Sequence, residues 1–89
     1  MTIIKNKNWY KMDTWRQARH FTSEHVAFAI TFLGNGATAL ERESAWDYLR
    51  AAEHFTEDLL LLAKHAQQND ESRCARDAAQ DYIDAYKER

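Results

Sequence analysis

The chain has 89 residues, 45% of them hydrophobic and 29% charged, with a net charge of −2. That length holds one domain at most, and the apolar content excludes a wholly disordered chain. Proline is absent, glycine occurs twice and cysteine once, which excludes a disulfide scaffold and leaves helices free of breakers.

Charge is distributed unevenly. Residues 1–20 hold five basic side chains against Asp13 alone, whereas the remainder holds 7 basic and 13 acidic residues. A basic start and an acidic body suit self-association head to body, or a charged partner. The opening "MTIIKNKNWYKM" has no continuous apolar h-region, and "VAFAITFL" is too short to span a bilayer. A cytoplasmic protein with no membrane contact is expected.

Residues 1–12 read as an N-terminal arm. "TIIK" has no second strand to pair with, and "WYKM" is suited to docking on a bundle. Asp13-Thr14 opens the first helix, where Thr14 and Gln17 have capping-box spacing. It runs to about Leu33 and stops at Gly34-Asn35-Gly36, whose glycines permit the left-handed conformation that ends helices. A second helix opens at Thr38, with Glu41 three residues on, and runs to about Gln68. A third follows the caps available in Asn69-Asp70-Glu71-Ser72 and continues to near the C-terminus. No internal repeat, low-complexity tract or interdomain linker is read. The fold class expected is all-α: a small three-helix bundle over residues 13–89 with the basic, aromatic arm over residues 1–12.

Apolar residues at helical spacing fill an arc of roughly 200° on the first helix, against the ~100° that a one-sided surface helix needs. The second helix is similarly broad, and the third presents Cys74, Ala75, Ala78, Ala79, Tyr82, Ile83 and Tyr86. Faces this wide exceed what a lone three-helix bundle covers, so a homodimer is expected.

The stretch "AEHFTEDLLLLAKHA" surrounds four leucines with histidines and acids. His54 and Asp58 stand at i,i+4, as do His20 and Glu24, and both pairs fall on polar helix sides. Neither Glu-x-x-His nor His-Glu-x-x-His occurs in the chain. The stretch therefore reads as an amphipathic helix with Leu61 on its wet side, and no metal or other cofactor is expected. His25, among Phe21, Phe28 and Phe32, reads as a buried neutral histidine with a hydrogen-bond partner. Cys74 reads as a small core residue.

No motif supports an enzyme, and the function expected is binding. Lys5, Lys7 and Lys11 alternate with Trp9 and Tyr10, a pattern suited to clasping the acidic body of a second subunit. The same pattern, with Arg16 and Arg19, suits phosphates and stacked bases, so a small nucleic-acid-binding regulator is the alternative. Asp77, Asp81, Asp84 and Glu88 form an acidic strip on the third helix, able to meet a basic protein surface. Trp46, at the edge of the dry arc, and Leu61 are candidate anchors for a protein partner. The expected role is an interaction or regulatory protein. Its size suits a phage- or plasmid-encoded inhibitor of a host enzyme or defence complex.

Overall fold

Two left-handed residues organise the chain. Arg19 has φ 59° and Glu53 has φ 56°, and each ends a helix. In the computed structural model, which describes residues 7–89, the elements are α1 (Asn8–Gln17), α2 (Ser23–Ile30), α3 (Ala39–Ala51), α4 (Glu57–Asn69) and α5 (Arg73–Glu88). No strand occurs among the described residues. The all-α class stands, but the first and second expected helices are each broken in two, so five helices replace three.

Both breaks have the same hydrogen bonds. The His20 N–H reaches back to the Trp15 carbonyl and the Arg19 N–H to that of Arg16; the His54 N–H reaches Leu49 and the Glu53 N–H reaches Arg50. This double closure satisfies carbonyls that a helix end leaves free. Thr22 and Thr56 then cap the following helices, their hydroxyls accepting from the His25 and Leu59 amides. Periodicity alone conceals such corners, because the apolar pattern resumes after each one. The helix stop at Gly34-Asn35-Gly36 needs no left-handed glycine, since neither glycine has positive φ.

Thr38 and Glu41 do form the expected capping box, and Ser72 caps α5. At the N-terminus, α1 begins inside the expected arm and takes in Trp9, Tyr10, Lys11 and Met12. Thr14 consequently lies inside α1 rather than at its cap. Residues 1–6, including Lys5, lie outside the described residues.

The corners expose a repeat that helical periodicity does not reveal. "RQARHFT" at residues 16–22 returns as "RAAEHFT" at residues 50–56, 34 positions later. The Tyr48 hydroxyl donates to the His20 carbonyl, and Tyr82, 34 positions on, donates to the His54 carbonyl. Phe21 packs edge-on against Tyr48, and Phe55 packs at a tilt against Tyr82. Arg42 bonds the Ala37 carbonyl, as Arg76 bonds that of Glu71. Helix packing follows the same period: α3 lies on both α1 and α2, and α5 lies on both α3 and α4. The molecule is thus a row of helix pairs in which each layer contacts its neighbours, with extents of 46 × 28 × 17 Å.

The core runs along the row. Met12, Trp46, Tyr48, Leu49 and Tyr82 are its largest fully buried side chains. Trp46 is 1% exposed and packs on Tyr82 with ring centroids 5.2 Å apart, so the expected half-exposed anchor is a core residue. Cys74 moves the other way and is exposed. The buried stripe of α5 runs through Ala75, Ala78, Ala79, Tyr82 and Ile83, and Cys74 sits beside it. The wide apolar arcs are divided between separate helices at each corner, which supplies burial that one unbroken helix could not find in a single chain.

Glycine occupies the left-handed region without the side-chain clash that Glu53 incurs. Replacing Glu53→Gly is therefore expected to stabilise the fold by about 0.5–1 kcal/mol, measured by urea unfolding. Glu53→Ala should show no such gain.

Candidate functional site

α2 packs on α1 and α3, whereas α4 packs on α5, and α2 and α4 make no close backbone approach to each other. Two separate hollows open on the surface. One, of about 460 Å³, is lined by Phe21, Val26, Ala27 and Ile30 together with Ala52, Glu53 and His54 of the corner. The other, of about 470 Å³, is lined by Leu33, Leu62, His65, Ala66, Asn69 and Glu71, among others. Asp58, Leu62, His65 and Asn69 share one strip of α4 at helical spacing.

Large apolar side chains stand in the open on these two helices. Ile30 is 37% exposed, Leu62 48% and Leu61 66%. The last was expected on the wet side of its helix and is found there. Ile30 and Leu62, each lining one hollow, were absent from the expected site.

The floor of the second hollow is held by a buried ion pair. Arg42 donates Nε and Nη2 to the two carboxylate oxygens of Asp70, at 2.6 and 2.9 Å. The two side chains are 16% and 6% exposed. The hydrogen bond from Arg42, helped by the Ser72 amide, holds the Asp70 carboxyl below its ordinary pKa and outweighs burial. At the start of α3, burial pushes Glu41 upward, but bonds from the Thr38 amide and the Asn8 side chain bring it below the usual value.

Asp47 behaves oppositely. Burial raises its pKa, Arg50 opposes the rise, and Glu43 adds to it. Asp47–Arg50 and Asp13–Arg16 are matching pairs 34 positions apart, with contacts of 3.8 and 3.7 Å. The Nε atoms of Arg16 and Arg50 are shielded and lack a hydrogen-bond partner. At the equivalent positions of the next repeat, α5 carries Asp81 and Asp84, so negative charge accumulates there.

The expected arm is partly committed to the fold. Lys7 lies over the Tyr10 ring at 5.6 Å and Lys11 over Phe28 at 5.8 Å. Trp9 and Tyr10 meet edge to face at 5.9 Å, with Tyr10 55% exposed. Asp77, Asp81 and Asp84 are exposed on α5, where Arg73 approaches Asp77 at 3.8 Å. These three carboxylates line neither of the two hollows.

The histidines occupy settings other than those expected. His20 and His54 sit at the corners and offer their carbonyls to Tyr48 and Tyr82. No group of three or more His, Cys, Asp or Glu residues arranged to hold a metal occurs among the described residues. His25 is half-buried and lies flat on Trp15, with ring centroids 3.8 Å apart. Its Nδ1 is shielded without a hydrogen-bond partner, which corrects the expectation of a bonded core histidine. The ring stack supplies the contact instead. No described helix is long and apolar enough to cross a membrane.

Searches against protein families, curated proteins and solved structures return no match. The functional reading therefore rests on the geometry of this chain.

The two carboxylates of opposite tendency predict opposite pH behaviour. Asp70 contributes stability above its unfolded pKa, and that contribution is lost as pH falls through its lower folded value. Asp70→Asn should cost about 2 kcal/mol at neutral pH, and the difference from the parent should shrink in acid. Asp47 favours folding when protonated, and that contribution is lost as pH rises through its raised folded value. Asp47→Asn should raise the melting temperature at neutral pH and leave it unchanged at pH ~3, below the unfolded pKa. Thermal melts of both variants across pH check the two signs.

Proposed function

We propose that the protein is a non-catalytic interaction protein that acts by binding a macromolecular partner, and that the partner is a protein. The observation that carries this reading is the exposure of Ile30, Leu61 and Leu62, with Ile30 and Leu62 each lining a separate surface hollow. Exposed apolar side chains of this size favour burial against another surface. Stacked helix pairs also create extended surfaces well suited to such contacts.

Inhibition of a host enzyme or defence complex is one form that binding by so small a chain can take. It needs only occlusion of a surface on the target. A homodimer belongs to the same reading, with two copies covering each other's leucines. The acidic strip Asp77, Asp81 and Asp84 supports a partner with basic surface. The nucleic-acid reading has less support, because Lys7 and Lys11 already lie over rings of their own chain.

Affinity capture from the native host tests the proposal. A stable stoichiometric complex that survives moderate salt is expected for the parent protein. The double variant Leu61→Ser, Leu62→Ser should retain its helical circular dichroism, since both side chains are exposed, and should lose about tenfold or more in affinity for the captured protein. Purified chain that binds oligonucleotides with steep salt dependence, and captures no protein, would favour the nucleic-acid alternative.

A further inference from the structure

We infer that the exposed face of α4 binds the same face of a second copy of this chain, the two helices lying antiparallel about a two-fold axis beside Leu61. The inference rests on the protein-binding reading and deepens it: the partner is a second chain, and α4 is the surface.

One side of α4 is committed and the other is free. Leu59 and Ala63 are its buried residues, and α5 is the one described helix whose backbone comes close. The opposite side exposes Glu57, Asp58, Leu61, Leu62, Lys64 and His65. Leu61 is 66% exposed and Leu62 48%, and two adjacent leucines in water favour a contact that covers them.

Charge is ordered along this face. The acids Glu57 and Asp58 stand in the first turn, the leucines follow, and Lys64 and His65 come after them. Glu57, Asp58 and Lys64 belong to no ion pair among the described residues. Within α4 the positions three and four away from each of them hold leucine or glutamine, so the helix itself supplies no opposite charge.

A second copy supplies it on both flanks. Residues seven apart share a flank of a helix. Glu57 and Lys64 therefore lie on one flank of the leucines, Asp58 and His65 on the other. A two-fold antiparallel contact lays each flank against itself in reverse order. Glu57 then faces Lys64 of the partner subunit, Asp58 faces His65 of the partner subunit, and the symmetry repeats both pairs around Leu61. A parallel contact would instead set acid beside acid and base beside base, which is disfavoured. It would also align the two helix dipoles side by side, whereas the antiparallel contact opposes them.

The contact is a small one. α4 has 13 residues, about 20 Å of helix, and one helix pair of that length covers less than the ~1,600 Å² of a standard interface. A reversible dimer with Kd on the order of tens of micromolar is expected.

Sedimentation equilibrium of the purified full chain between about 5 and about 500 µM tests this. The parent should pass from monomer to dimer across that range, and Leu61→Ser should remain monomeric with unchanged helical circular dichroism. Glu57→Lys and Lys64→Glu should each weaken self-association by about tenfold or more, because each sets like charges face to face on one flank. Mixed together, these two variants should form a one-to-one heterodimer, since every pair on that flank is again of opposite charge. Asp77→Asn, Asp81→Asn, Asp84→Asn on α5 should leave the dimer intact.

A parent chain that stays monomeric at the highest concentration would overturn the inference. So would a dimer that persists in Leu61→Ser, or two charge variants that fail to associate when mixed. Capture of a host protein by a chain that never dimerises would refute this inference and leave the protein-binding reading standing. A dimer that meets every charge test while capturing no host protein would uphold it, and the reading of an outside partner would fall.

Discussion

The bond from a tyrosine hydroxyl to a corner carbonyl holds the row of helix pairs together. A left-handed helix end turns the chain sharply and leaves the next carbonyl, that of His20 or His54, facing outward. An outward carbonyl under a packed neighbour needs a donor. The helix two elements on supplies one, through Tyr48 of α3 or Tyr82 of α5. Tyr82 also accepts from the Thr56 amide, so its hydroxyl bridges both sides of its corner. The aromatic bodies of Phe21 and Phe55 pack against the same tyrosine rings. Local turn chemistry and layer packing thus meet at one side chain per repeat.

Differences between equivalent positions show what each layer is for. Met12, Trp46 and Gln80 stand 34 residues apart in succession. The first two are fully buried, whereas Gln80 is half-buried and bonds Asp84. Trp46 packs on Tyr82 between α3 and α5, whereas Gln80 puts a polar side chain at the equivalent position of α5. The charged face diverges in the same direction. Arg16 and Arg50 are followed by Asp84, which turns two balanced pairs into an acid-rich strip. The scaffold is repeated while its surfaces are not.

Helix class, the Thr38 capping box, the Ser72 cap and the polar setting of Leu61 were all legible in the sequence. The five-helix count was not, because Arg19 and Glu53 have side chains that ordinarily continue a helix, while the two glycines drew attention elsewhere. The recurrence of Arg, Ala, His, Phe and Thr over seven residues did carry the missing information. Periodicity of 3.6 looks for one wet and one dry side, and is blind to a match 34 positions away. Trp46 and Cys74 exchanged roles without any corner between them and their helix starts: Trp46, at the edge of its apolar arc, is covered by Tyr82 of the next layer, and Cys74 falls just outside the buried stripe of Ala75, Ala78, Ala79, Tyr82 and Ile83.

The support beneath α2 and α4 is unequal. α2 leans on two helices, whereas the backbone of α4 comes close only to α5. Stability in a row of nearest neighbours is shared unevenly, and an element with one neighbour opens at lower cost than one with two. α4 is therefore the helix that opens at lower cost, and the Arg42–Asp70 clasp at its C-terminal end ties it to α3.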